Sequence, residues 1–320
     1  MKQFWLRFVR GLDNPIVVRE GISRMRTWRA PLAITLYLGL LGAFGYAVFA
    51  VGVISSQISQ TTQSATTLGA VTFDSMSVFE LVLVLLFAPA LAAGAISGER
   101  ERQTFDSLLV SKVSAFGIVW GKLIASLAYI LLLVVSAIPL FAFVLIFGSI
   151  EPDQILITQA LIVVTAFTVG SVALFWSALY RRTLAATVSA YGSAFALYGL
   201  SAAVGYLLTY INNIRYQNAS ASLPPDLGIH PLVYGNPFTA FFTLLVPQGP
   251  TFGGSIHLGR LVQLLVLDGR PVSQWGPAIT SWQLSLYTQG ALALLCVFGA
   301  VMLVRGRRAL PLRRVAVKGS

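Results

Sequence analysis

An all-α polytopic membrane protein with six transmembrane helices is the fold class predicted by three features. These are an apolar composition, six runs long enough to span a bilayer, and an uneven distribution of basic residues. The 320 residues are 56% hydrophobic and 10% charged, against roughly 45–50% and about 25% in an ordinary soluble domain. A crossing helix needs roughly 20 apolar residues, because hydrocarbon offers no partner to exposed backbone groups. Residues 31–54, 78–98, 118–147, 155–179, 184–208 and 282–304 meet that test. The net charge of +11 lies beside these runs, where it suits anionic lipid headgroups rather than nucleic acid. Cys296 stands alone in an apolar run, so neither a disulfide framework nor a thiolate metal site is available.

Each span follows from its neighbours. The first, 31–54, is longer than a signal-peptide core, follows a basic stretch, and has no small-residue cleavage pattern after it, so it is expected to be retained. Lys and Arg mark the cytoplasmic side. They cluster before span one, from Lys2 to Arg29. Arg100, Arg102, Lys112 and Lys122 lie between spans two and three, Arg181 and Arg182 between spans four and five, and Arg305 to Lys318 in the tail. Only Arg215, Arg260 and Arg270 fall on the other side, in a long loop where the rule is weak. The expectation is a plasma (inner) membrane protein with both termini cytoplasmic.

Residues 1–30 form a cytoplasmic interfacial segment. In it Ile16, Val17, Ile22, Met25 and Trp28 alternate with Arg19, Arg24, Arg26 and Arg29, which suits a helix lying in the membrane surface. Residues 31–304 form the transmembrane domain, with a cytoplasmic loop at 99–117 and an outer loop at 209–281; residues 305–320 are a basic tail. Within the outer loop, Phe238–Val246 and Ile256–Leu267 are too short to cross and read as re-entrant or interfacial helices. Counting the pair as a seventh crossing would move the basic tail outside, against the charge distribution.

The stretch "SGERERQTFDSLLVSK", Ser97 to Lys112, concentrates acids and bases between two apolar runs. Read as a helix, it puts Phe105, Leu108, Leu109, Val113 and Phe116 on one side and its charges on the other. Glu99 and Arg102 are spaced for an i, i+3 pair, worth only a few tenths of a kcal/mol in water. Ser114 is the expected N-cap of span three. A helix floating on headgroups would favour Lys and Arg over a Glu-Arg-Glu-Arg alternation, so the segment reads as a docking surface.

Here the sequence resembles the membrane subunits of ABC-2 type transporters, the permease family of type V ABC exporters. "GERERQTFDSLLVSKVSAFGIVWGKLIA", Gly98 to Ala125, carries the resemblance; "NPIVVRE", Asn14 to Glu20, and "GNPFTAF", Gly235 to Phe241, are similar to weaker family features. The resemblance implies that the cytoplasmic loop is a coupling helix seated in a separate nucleotide-binding subunit. Glu99, Arg100, Glu101, Arg102, Thr104, Asp106, Leu108 and Leu109 would form that surface. The sequence departs from the common pattern at Gln103, where glycine is frequent, and at Asp106, often glutamate. The implied partners are an ABC ATPase, which would bind ATP and magnesium, and a second permease copy or homologue. The resemblance also implies a pathway lined from spans one, two and five.

Chemistry is expected elsewhere than in this chain. "GIVWGKL", Gly117 to Leu123, lacks the Walker A spacing and has Leu123 where a magnesium-binding hydroxyl belongs. Lys122 reads instead as a lysine snorkelling to the interface. His230 and His257 have no ligand-spaced partners, and no metal site or catalytic residue is expected. Glu80 is the acid well inside an apolar run, which makes it a candidate for the pathway. Its nineteen-residue spacing from Glu99 predicts a place near the outer interface, where solvation is cheap. Gly39, Gly42 and Gly45 are candidates for close helix packing, and Pro139 for a kink in span three. The expected function is a permease subunit coupling ATP hydrolysis by a partner to export. The alternatives are a non-transporting scaffold in a larger complex and a membrane-embedded lipid enzyme.

Overall fold

A computed structural model describes residues 29–58, 65–105, 114–147, 150–218, 236–238, 240–241, 256–257, 278–279 and 281–316. The expected interfacial helix before residue 29 and most of the outer loop lie outside the described residues. The helices are α1 (Arg29–Ile58), α2 (Ala65–Glu101), α3 (Ala115–Val144), α4 (Pro152–Leu179), α5 (Thr183–Ala194), α6 (Ser201–Asn218) and α7 (Ser281–Ala316). A 3-10 turn, Leu145–Phe147, extends α3, and a π-helical turn, Phe195–Leu200, joins α5 to α6. Six stretches are long and apolar enough to cross a membrane: Pro31–Ile58, Ala65–Glu101, Ala115–Phe147, Pro152–Leu179, Thr183–Leu208 and Trp282–Gly306. These are the six spans read from the sequence, the second starting thirteen residues earlier than expected.

That earlier start has a local cause. Thr66, Thr67, Asp74, Ser75 and Ser77 break the apolar run in the sequence, yet Thr72 and Ser77 return their hydroxyls to the carbonyls of Leu68 and Phe73. Such back-bonding lets small polar residues continue a helix in an apolar setting. At 37 residues, α2 is about 55 Å long and overruns a bilayer of about 30 Å.

Register is set by specific contacts. Rising positions in α1 meet falling positions in α2: Tyr37 meets Glu80, a side chain on Gly45 would meet Met76, and one on Gly52 would meet Leu68. These two helices are therefore antiparallel. Gln159 meets Glu80 and Ser177 meets Ser97, so α2 and α4 run parallel. A Cβ on Gly45 would lie 2.5 Å from the Met76 sulfur, and one on Gly170 would lie 2.8 Å from Leu127. Of the glycines expected to permit close packing, Gly45 does so, whereas Gly39 faces open space.

The core sits around α2 and α4. In its most apolar window α4 is 67% buried, against 11% for α1. The buried face of α4 carries Thr158, Gln159, Thr165, Thr168, Ser171 and Ser177, while Leu156 on its other face is exposed. Thr165, Thr168 and Ser171 each donate to the carbonyl one turn back. Small polar residues thus share the inward face with Leu161, Ile162 and Leu174, as helix packing in lipid permits. Pro89 sits inside α2, and the Tyr191 hydroxyl donates to the nearby Leu86 carbonyl at 2.6 Å. The helix continues through Pro139 as well.

At the far end of the chain, Ile256–His257 pairs antiparallel with Ala278–Ile279. The expected helix over Ile256–Leu267 therefore begins as extended chain. The β-branched Ile256 and Ile279 stand directly opposite one another, a favourable cross-strand pair.

Candidate functional site

The charged stretch begins as the last turn of α2 and ends that helix in a Schellman motif. The Thr104 amide donates to the Glu99 carbonyl at 2.9 Å and the Gln103 amide to the Arg100 carbonyl at 3.1 Å. These are the 6→1 and 5→2 bonds of that cap, which needs a left-handed residue at C′. Gln103 takes that place at φ 58, the one non-glycine residue with positive φ among those described. The position where the family resemblance expects glycine is thus the position that a glycine would fill without a steric penalty.

Each charge in the turn has a definite direction. Lys122 of α3 is 2% exposed and pairs with Glu99 at 3.4 Å; the Thr104 hydroxyl also donates to Glu99. Lys122 does not snorkel to the interface as expected. It lies inside the bundle because a carboxylate from α2 is there to meet it, and an uncompensated buried ammonium would be costly. Arg100 crosses to the end of α4, where Nη1 donates to the Tyr180 carbonyl and Nη2 to the Ala178 carbonyl, both at 2.8 Å. Its guanidinium lies 4.8 Å above the buried Phe105 ring. Glu101 reaches the start of α5, accepting from the Thr183 amide and the Thr183 hydroxyl, both at 2.7 Å.

This arrangement answers two needs at once. The last carbonyls of a helix lack intrahelical partners and carry partial negative charge, and the first amides carry the opposite. Arg100 meets the former on α4 and Glu101 the latter on α5, whose own N-cap residue, Arg182, makes no side-chain cap. The α4–α5 hairpin is therefore capped from a different helix. Arg102, Gln103 and Thr104 remain exposed, as does Glu101 beside Thr183. Ser114 caps α3 as expected, accepting from the Gly117 amide at 3.0 Å. Asp106, Leu108 and Leu109 lie outside the described residues.

A second polar cluster lies inside the bundle. The Tyr37 hydroxyl of α1 donates to Glu80 Oε1 at 3.0 Å, and Gln159 Nε2 of α4 donates to Glu80 Oε2 at 2.8 Å. Glu80 is 0% exposed. Along α2 it lies 21 residues, about 32 Å, before Glu101, and its partner Gln159 is seven residues, about 11 Å, from the Pro152 start of α4. Burial by α1 and α4 thus places Glu80 inside the bundle, where its carboxylate is held by side-chain donors. Gln159 Oε1 and the Thr158 hydroxyl are buried without a hydrogen-bond partner among the described residues.

A family model described as ABC-2 family transporter protein matches residues 16–306. The chain belongs to the ABC-2 transporter family. No curated protein matches it. Family membership together with six apolar helices makes the chain a multi-pass membrane protein, a permease of the ABC transporter class.

In this ABC-2 protein the structure adds residues that periodicity did not single out. Asn236, at the start of "NPF", donates from Nδ2 to the Tyr198 carbonyl at 2.7 Å and to the Ser201 hydroxyl at 2.9 Å. Its Oδ1 accepts from the Phe238 amide, and Ala240 and Phe241 behind it are 0% exposed. The described part of Phe238–Val246, residues 238, 240 and 241, is thus helical and packs into the core beside the π-helical turn. A π turn disturbs the i, i+4 ladder, and Asn236 supplies a donor there. The signal available in the sequence was Asn-Pro, a turn starter, ahead of apolar residues. Thr183 and Tyr180 had no signal, because their role depends on a helix about eighty positions away in the chain.

Proposed function

We propose that the chain is the membrane-spanning permease subunit of an ATP-binding cassette exporter. A separate nucleotide-binding subunit, holding ATP and magnesium, docks on the 99–117 loop and drives transport. The observation that carries this reading is the end of α2. There one short turn exposes Arg102, Gln103 and Thr104 while Glu99, Arg100 and Glu101 fasten it to α3, α4 and α5. A turn exposed on one side and tied to three helices on the other suits a handle. Work enters through contacts that differ between states, so the handle matters more than any residue touching substrate.

The distribution of basic residues supports a plasma membrane protein whose termini share the side of this loop. Two copies, or one copy and a homologue, enclose the pathway, and Glu80 is its candidate polar residue. Anionic lipids hold the basic flanks. Asp106, Leu108 and Leu109 complete the docking surface.

The test uses the full-length chain, tagged and purified from its native membrane with whatever binds it. Charge reversal at Glu99 or Glu101 would also cut the ties to Lys122 and Thr183, so Arg102→Glu is the cleaner probe. The expected result is a co-purifying ATPase with wild type and at least a tenfold loss of it with Arg102→Glu, a loss of about 1.4 kcal/mol or more in binding. Equal recovery of ATPase with both chains would remove Arg102 from the surface and the main support for docking at this turn.

A further inference from the structure

We infer that Arg100 and Glu101 are positioning residues which carry movement of the docking turn into the α4–α5 hairpin. This rests on the docking reading and adds to it a route for the motion. A loop joined to the bundle only by its own two helices would move α2 and α3. This turn has a third and a fourth attachment.

The geometry makes the connection stiff. Arg100 places Nη1 and Nη2 on two carbonyls at one helix end, Tyr180 and Ala178, and its guanidinium lies over the Phe105 ring. A planar fork used in this way fixes orientation as well as distance. Glu101 likewise uses both carboxylate oxygens on one residue, Thr183. The two residues are adjacent in the last turn of α2, and their targets flank the three-residue link Tyr180–Arg182 between α4 and α5. The end of α4 and the start of α5 are thus held on neighbouring side chains. Further up, the Ile96 and Ser97 amides donate to the Ser177 hydroxyl, each at 2.9 Å. A Cβ on Gly94 would lie 3.4 Å from the Thr183 methyl. The last two turns of α2 and this hairpin therefore form one body. A push on the exposed Arg102–Thr104 face displaces α5 directly.

One substitution separates the tie from the docking surface. Thr183 is the first residue of α5, and Arg182 before it is extended at φ −105, ψ 133. Proline is well suited to a first helical position, and it asks its predecessor for that extended conformation. Thr183→Pro therefore removes both donors to Glu101 and leaves α5 able to form. Thr183→Ser keeps both donors.

The experiment places spin labels at Val188 on α5 and Val135 on α3, both exposed, in a Cys296→Ser background of the full complex with its ATPase. The distance between them is measured without nucleotide and after trapping with ATP and vanadate. The expected result is a nucleotide-dependent shift in the otherwise native chain and in Thr183→Ser, and its loss in Thr183→Pro, with the ATPase still bound and still hydrolysing ATP. A full shift in Thr183→Pro would overturn the inference and leave docking intact. Absence of a bound ATPase, or of any shift in the native chain, would overturn the docking reading and this inference together.

Discussion

Gln103 holds a conformation that its own side chain opposes. Its φ of 58 puts Cβ close to backbone that glycine would not crowd, a cost of roughly 1 kcal/mol for an L-residue. Gln103→Gly is therefore expected to relieve about 1 kcal/mol of strain and, after the cost of about 0.5–1 kcal/mol from glycine's greater freedom when unfolded, to raise stability by at most a few tenths of a kcal/mol. Gln103→Val is expected to lower it by about 1 kcal/mol, because a β-branched residue tolerates this region least. Thermal unfolding in detergent reads both, and a stabilised valine variant would contradict the Schellman assignment. The pair Lys122–Glu99 is a second test at this scale. Glu99→Gln removes the carboxylate that faces an ammonium only 2% exposed, while Glu99 itself is 31% exposed. The expected cost is about 2 kcal/mol, below the 3–5 typical of a fully buried pair. Adding Lys122→Met should recover most of it. If the double variant were as unstable as Glu99→Gln alone, Lys122 would have another reason to be where it is.

At the scale of single elements, α1 is the helix most weakly held. It is 11% buried in its most apolar window, and Tyr37 is the residue through which it reaches the buried carboxylate of Glu80. Tyr37→Phe would leave the buried Glu80 Oε1 short of its donor, a loss of about 1–3 kcal/mol. The expected outcome is faster amide exchange along Ile34–Leu41 with little change in α4. Unchanged exchange in α1 would show that packing at Gly45 and Gly52 alone holds it. Elements were also where the sequence was most legible. Six apolar runs gave six crossings, because length and composition are sufficient for that inference in a bilayer. Their faces were hidden, since α4 buries Thr158, Thr165 and Ser171 beside Leu161 and Ile162 while exposing Leu156, so polarity does not divide its two sides as it does in a soluble amphipathic helix. The start of α2 was missed for the same reason: Thr72 and Ser77 satisfy their hydroxyls within the helix, so polarity in the sequence did not mark an end.

For the whole molecule, the fold brings residues from distant segments to one end of the bundle. Glu99, Arg100 and Glu101 were recognisable as unusual because their charges alternate. Which way each points could not be read from spacing, because Lys122 and Thr183 belong to two other helices and Tyr180 to the link between α4 and α5. The likeness to a docking loop and the internal ties are compatible: one side of the turn is spent on the bundle and the other is left exposed at Arg102, Gln103 and Thr104. The central claim is that a separate ATPase grips this turn from the side that carries the basic termini. The most direct measurement replaces Arg102 with a photo-crosslinking residue in the full chain, in native membranes, and identifies what it captures. The account predicts an adduct with an ATP-hydrolysing subunit. Capture of lipid alone, or reaction of this position with a reagent confined to the opposite side of the membrane, would contradict it.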